Sequence, residues 1–259
     1  KDYIKKNKIK NIFLGLSGGI DSALVAYIAS KAINKENINC IMMRSKYTSK
    51  ISIDDAKELA KNLGVNFIDK NLSTLINQIN LNLKDDFKNL KPDITEENIQ
   101  ARSRGLILMA LANKKNGIVL STSNKSESAV GYSTLYGDMV GAYAPIKDIP
   151  KTLIYKISKF INTNENIIPE RIITRAPSAE LKPNQTDQDS LPAYDELDKI
   201  IELFIDEGQS ADEIISMGFK VQTVKEIVKL ILRSEFKRRQ SPPGPKITRK
   251  AFGRERRFP

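Results

Sequence analysis

Ser17-Gly18-Gly19-Ile20-Asp21-Ser22 is the stretch best suited to chemistry: it follows the apolar run Ile12–Leu16 and opens into Ala23-Leu24-Val25-Ala26-Tyr27-Ile28. Small residues between a strand-like run and a helix-like run let the backbone turn tightly, with its amides pointing outward and no Cβ in the way. Such amides, at the positive end of the helix that follows, suit phosphate or pyrophosphate. Asp21, in the first helical turn, is placed to take the Mg²⁺ that accompanies such an anion. The pattern lacks the Gly-Lys-Ser/Thr ending of a Walker loop. An ordinary capped strand–turn–helix junction draws on the same residue types, but six of them in this order favour the anion site.

A second polar cluster, Ser121-Thr122-Ser123-Asn124-Lys125-Ser126-Glu127, follows the apolar run Ile118–Ser121. Thr122 could contact a nucleotide. Glu127 could share Mg²⁺ with Asp21 or contact a second substrate, and a solvated glutamate in a polar turn is an equal reading. The sequence contains no histidine, which excludes histidine bases, triads and zinc ligands. Catalysis must then rest on amides, hydroxyls, carboxylates, Lys and Arg with a hard cation, the tools of phosphoryl and adenylyl transfer.

The elements that must carry these clusters are legible in the hydrophobic pattern. Ile12–Leu16, Ile38–Met43, Val65–Ile68 and Ile118–Ser121 read as buried parallel strands. Ile20, Ala23, Leu24, Tyr27 and Ile28 share one helix face, as do Ile53, Ala56, Leu59, Ala60 and Leu63 ahead of Gly64. Helices are also expected at Leu72–Leu83, at Thr95–Asn113 with Thr95 and Asn98 near its start, at Leu191–Asp206 and at Val221–Lys237. Gly105–Ala112 is apolar all round and should be buried, with a subunit contact as one use. Ser123–Pro150 reads as an ordered functional loop, and Ser241-Pro242-Pro243-Gly244-Pro245 ends the last helix. The fold class is therefore α/β, a doubly wound parallel sheet flanked by helices, with C-terminal helices and a basic tail. One domain over 1–259 is expected, with 241–259 as a Pro-rich basic tail. Ligands of such sheets lie at the carboxyl ends of the strands, where Ser17–Ser22 falls.

The net charge is +11, with five lysines in Lys1–Lys10 and eight Lys or Arg from Arg238 onward. Basic ends of this kind are usually solvated, so a nucleic-acid partner is not expected. No apolar run approaches the ~20 residues that span a bilayer. Lys1–Lys10 is polar and basic rather than leader-like, and the single cysteine, Cys40, suits a reducing compartment, so a cytoplasmic location is expected.

Ser17–Ser22 resembles the pyrophosphate loop of the N-type ATP pyrophosphatases, which split ATP into AMP and pyrophosphate. Together with Glu97-Asn98-Ile99-Gln100-Ala101-Arg102, Asn124–Gly131, Tyr136-Gly137-Asp138 and Lys237-Arg238-Arg239-Gln240, it occurs in this order in NAD synthetases. The resemblance covers essentially the whole chain, and Pro243-Gly244-Pro245-Lys246-Ile247-Thr248-Arg249 resembles the form fused to a glutamine amidotransferase domain. It implies an adenine nucleotide α-hydrolase-like fold and amidation of deamido-NAD to NAD⁺ through an adenylate, with ATP as co-substrate, Mg²⁺ as cofactor and ammonia as nitrogen donor. By position, it implies ATP contacts at Gly15, Leu16, Ser17, Gly18, Gly19, Ile20, Asp21, Ser22, Arg44, Thr122, Lys151 and Ser178. Asp21 and Lys151 would be catalytic, and Asp21 and Glu127 would bind metal. Asn98, Arg102, Glu127, Asp138 and Lys237 would face deamido-NAD, Glu127 being assigned to metal or to substrate.

Two positions depart from the ammonia-using members, which often have Lys where Leu135 stands and His where Phe236 stands. Cys40, in an expected buried strand, is no glutaminase nucleophile. The resemblance therefore implies ammonia from solution or from a glutamine amidotransferase domain or partner, and a homodimer. Two other readings are a tRNA-modifying ATP pyrophosphatase and a non-catalytic nucleotide- or nucleic-acid-binding module.

Overall fold

The computed structural model describes residues 1–183 and 185–253. Its centre is a four-stranded sheet of β1 (Asn11–Gly15), β2 (Ile38–Arg44), β3 (Asn66–Asn71) and β4 (Gly117–Val119) in the order β3-β2-β1-β4, and every pairing is parallel. The helices are α1 (Asp2–Lys6), α2 (Ile20–Ala32), α3 (Lys50–Leu63), α4 (Ser73–Asn82), α5 (Ile94–Lys114), α6 (Lys125–Val130), α7 (Lys151–Glu165) and α8 (Glu170–Thr174). A C-terminal group follows: α9 (Tyr194–Ile201) running into a π-helical turn at Glu202–Glu207, then α10 (Ala211–Ser216), α11 (Val221–Arg233) and α12 (Glu235–Arg238).

The inner strands β1 and β2 are largely apolar because both faces of the sheet are covered there, whereas the edge strand β3 carries Asp69, Lys70 and Asn71 and has no buried residue, so the burial expected for Val65–Ile68 is not found. On one side Ile12, Leu14 and Cys40 pack with residues of α2, α3 and α7. On the other, Phe13, Ile41 and Met43 pack with α4 and α5. Cys40 is fully buried, and that burial pushes its thiol up to about 12. A third core, built from α9, α10 and α11, also takes in Ala129, Val130 and Phe252. The expected inner stripe of the last long helix is present: Val224, Ile227 and Ile231 are buried and Val228 packs beside them.

Several expectations need correction. The helix expected from Thr95 starts one turn-residue earlier, because Asp93 caps it: its Oδ1 accepts the Thr95 amide at 2.7 Å and Glu96 Oε2 accepts the Asp93 amide at 2.9 Å. Within Gly105–Ala112 only part is buried; Leu106 is 60 % exposed and Met109 37 %, so the helix keeps one apolar face open. Ser123–Pro150 is not all loop, since α6 lies within it. The Val221–Lys237 helix breaks at Ser234. The basic tail is folded back on the body: Ala251 and Phe252 are buried, and Ala144 N donates to Pro243 O at 2.9 Å. Its last six residues, 254–259, lie outside the described residues.

Candidate active site

β1 and β4 are neighbours, but β2 and β3 extend the sheet away from β1 on its other side, so the chain reverses direction of travel between β1 and β4. A crevice opens at the carboxyl ends of strands at such a point. It is a cleft of about 580 Å³. Ser17–Ser22 follows β1 into it, and Thr122, Ser123 and Glu127 follow β4.

The turn after β1 is tied to itself. Ser22 Oγ donates to Gly19 O at 2.9 Å and accepts the Ser17 amide at 3.2 Å, and Ser17 Oγ accepts the Gly19 amide at 3.2 Å. Gly18 has φ +79°, and a Cβ there would stand 2.3 Å from the Ser52 carbonyl oxygen on α3, so no other residue fits. Arg175 Nη2 closes the outer side, donating to Gly18 O at 3.2 Å. The first-turn amides of α2, at Ile20, Asp21 and Ser22, have no carbonyl four residues back within the helix and belong to a stretch that lines the cleft. Amides so placed can receive an anion.

Beside it sits a charged triad. Lys151, the first residue of α7, is 2 % exposed, and its Nζ donates to Asp21 Oδ2 at 2.6 Å and to Glu127 Oε1 at 3.1 Å. Asn124 caps α6, its Oδ1 accepting the Glu127 amide at 2.9 Å, while its Nδ2 donates to Asp21 Oδ1 at 2.9 Å. Ser126 Oγ accepts the Lys151 amide at 2.8 Å and donates to Asp198. Helices α2, α6 and α7 thus each bring one member of the triad. Burial pushes the Glu127 carboxyl up to about 8, with Lys151 pulling it down and Asp21 and Asp187 adding to the rise. Burial by itself would lower the Lys151 ammonium, yet Asp21 and Glu127 together outweigh it and raise the group above its ordinary value.

The far wall comes from α5, the loop after α6, and α12. Thr134 Oγ1 donates to Asn98 Oδ1 at 2.8 Å, and its amide donates to Asp138 Oδ1 at 2.6 Å. Lys237 Nζ donates to the carbonyls of Gly131 (2.8 Å) and Ser133 (2.7 Å). Burial raises Asp138 and lowers Lys237, each countered in part by other groups.

Among the residues expected from sequence, Gly15–Ser22, Asn98, Thr122, Glu127, Asp138, Lys151, Ser178 and Lys237 all line this cleft. Arg44 and Arg102 do not. Arg44 Nε pairs with Asp69 Oδ1 at 2.8 Å on the exposed side of β2, and Arg102 Nε donates to Leu135 O at 3.2 Å. Arg104 takes the inner place: it lines the cleft and donates from Nε to Met43 O at 3.1 Å. The signal was helical period, because Ala101, Arg104, Gly105 and Leu108 form one stripe and Arg102 stands off it. Sequence reasoning also missed Glu180, whose Oε1 accepts from Ser49 Oγ (2.9 Å) and Ser52 Oγ (2.7 Å), and buried Asp187, which accepts from Tyr194 OH at 2.7 Å. Both lie in a segment without periodicity.

Residues 1–241 match the family model described as NAD synthase. The chain belongs to that family. It is 50 % identical to the glutamine-dependent NAD(+) synthetase of Acinetobacter baylyi over the whole of this chain and 48 % of the relative. A glutamine-dependent NAD⁺ synthetase from Acinetobacter baumannii, solved in complex with adenosine diphosphate, is 45 % identical with a TM-score of 0.67, covering all of this chain and 47 % of that one. An NH₃-dependent NAD synthetase from Campylobacter jejuni is 26 % identical with a TM-score of 0.70, covering 91 % of this chain and 90 % of that one. The chain therefore spans about half the length of the curated relatives it matches. Among the described residues, no helix is long and apolar enough to cross a membrane.

Proposed function

We propose that this chain amidates deamido-NAD to NAD⁺, with ATP activating the nicotinate carboxylate. The observation that carries the reading is the Asp21–Lys151–Glu127 triad set beside the orphan amides of α2. A carboxylate resists attack by ammonia because its leaving group would be oxide or hydroxide. In the first step a nicotinate oxygen attacks the α-phosphorus of ATP; a P–O bond forms, the bond to pyrophosphate breaks, and pyrophosphate leaves. In the second step ammonia attacks the acyl carbon, a C–N bond forms, the C–O bond to AMP breaks, and the surplus proton goes to solvent.

Both steps build negative charge where the protein has fixed positive ends. The amides of Ile20, Asp21 and Ser22 face the phosphates without reorganising, and the Lys151 ammonium is already desolvated. Asp21 and Glu127 turn carboxylate oxygens toward one point, now taken by Lys151 Nζ. Among the described residues there is no cluster of three or more acidic, Cys or His side chains able to cage a metal. Two carboxylates suit Mg²⁺, which usually completes its shell with phosphate oxygens and water. When bound with nucleotide it would neutralise the triphosphate. Asn98, Asp138 and Lys237 on the far wall are the contacts for the dinucleotide.

The glutamine-dependent relatives support a nitrogen supply from a glutamine-hydrolysing domain or partner, and the NH₃-dependent neighbour from Campylobacter jejuni supports free ammonia. The open apolar face of α5, with Leu106 and Met109, is the contact proposed for a homodimer, to be checked by light scattering. Incubation with deamido-NAD, ATP, Mg²⁺ and ammonium should give NAD⁺, AMP and pyrophosphate in equal amounts; ADP and phosphate instead would end the adenylate reading. Glutamine in place of ammonium should give no product with this chain.

A further inference from the structure

Helix α6 presents both Asn124 and Glu127 to the triad, yet it is only six residues long. A helix that short has little stability of its own, so tertiary anchors must fix it. Its anchors lie on the side away from the cleft. Lys125 is 1 % exposed, and its Nζ donates to Asp206 Oδ2 (2.8 Å), Thr248 Oγ1 (2.5 Å) and Lys250 O (3.3 Å), with Asp148 Oδ1 at 3.4 Å. Two buried carboxylates thus share one ammonium, and the remaining compensation comes from the end of the chain. Asp148 Oδ2 accepts the amides of Ile247 and Thr248, each at 2.7 Å, and Asp148 Oδ1 accepts Thr248 Oγ1 at 2.8 Å. Asp206 Oδ1 accepts the Lys250 amide at 2.8 Å.

A second tie reaches the other end of α6. Phe252, buried in the C-terminal core, lies 4.8 Å from the Arg238 guanidinium, which donates to Ala129 O at 2.6 Å. Gly131 closes the helix with φ +70°, where a Cβ would stand 2.2 Å from Ser234 Oγ. Segment 242–252 lies beyond residue 241, where the family match stops.

We infer that residues 242–252 act as a strap that positions α6, and that Lys125 is the positioning residue through which the strap sets Asn124 and Glu127 against Asp21 and Lys151. The inference rests on the synthetase reading for its kinetic consequence, but not for its geometry. Thr248 is the residue to change: its hydroxyl bonds Lys125 and Asp148, neither of which lines the cleft, and Thr248→Val keeps both backbone bonds to Asp148 while deleting that hydroxyl.

The experiment compares the wild-type chain, Thr248→Val and Thr248→Ser, in ammonium-dependent turnover and in the NMR signals of the Asn124 side-chain amide. Thr248→Val should lower kcat roughly tenfold with the KM for ATP within about twofold, as expected for small misplacement of reacting groups. It should also shift the Asn124 amide signals, and Thr248→Ser should restore both. Wild-type kcat together with unmoved Asn124 signals in Thr248→Val would overturn the strap, as would a loss that follows the folded fraction in calorimetry or is not restored by Ser. A wild-type chain that makes no NAD⁺ would sink the synthetase reading alone, and the Asn124 signals would still decide the strap.

Discussion

The turn at Ser17–Gly19 ahead of α2 and the stretch Ile247–Lys250 of the strap are both short and irregular, and their backbone amides are put to opposite uses. The turn leads into α2 amides that have no acceptor within the helix. The strap donates its amides to Asp148 and Asp206, two carboxylates of the protein itself. One segment is left with amides able to take an anion from outside; the other is supplied with internal carboxylates. Changes in the turn should therefore damage ligand handling and leave the fold intact, whereas removing the buried ammonium of Lys125 beneath the strap should cost the fold as well.

The largest break in that contrast would come at Asp21. Asp21→Asn keeps the shape but leaves one accepting oxygen where two now receive Asn124 Nδ2 and Lys151 Nζ, and it removes the charge, so NAD⁺ formation should fall by about a thousandfold or more. The melting temperature should move by only a few degrees; a large drop in it would place Asp21 with the core instead. On the strap side, Lys125→Met leaves Asp148 and Asp206 buried without their ammonium. Losing one partner of a buried ionic group costs about 3–5 kcal/mol, and urea unfolding should show it.

A third test uses Glu127. Its folded pKa, about 8, lies above the ordinary glutamate value of 4.5. Between those values the folded protein holds a proton that the unfolded chain has lost, so stability is greatest below the window and falls as pH rises through it. The slope is at most about 1.4 kcal/mol per pH unit. Asp138 and Asp187 are raised in the same direction, so the measurement is the difference between wild type and Glu127→Gln in unfolding without nucleotide from pH 5 to 8. The Gln variant should be flatter; identical curves would remove the raised carboxyl. Smallest is the arginine pair. Arg104→Ala should raise the KM for nucleotide about tenfold through loss of a charged cleft contact, while Arg102→Ala should stay within about twofold. The reverse order would show that helix period misassigned the inner face.

The sheet and its phosphate turn were legible because both depend on local residue types. Ile12–Leu16 and, apart from Asn39, Ile38–Met43 are apolar without alternation, as strands covered on both faces must be, and Gly18 stands where only glycine fits. The other half of the site was harder to read. α6 is too short to show a period, and its cap, Asn124, looks like any polar turn residue until it is seen reaching Asp21. Helix α7 escaped notice although Ile154, Ser158 and Ile161 keep helical spacing, because a small hydroxyl residue interrupts the apolar stripe. The tail misled through its charge. Lys and Arg there suggested solvation, whereas Thr248 and the backbone around it do the docking, and backbone bonds leave no mark on composition.

Cys40 has a practical consequence. It is the sole thiol in the sequence, sealed inside the sheet and held protonated far above neutrality. Maleimide reagents should therefore ignore the native chain. A cysteine placed at an outward position of the strap would then accept a fluorophore cleanly, giving a direct optical readout of whether that segment lifts during turnover.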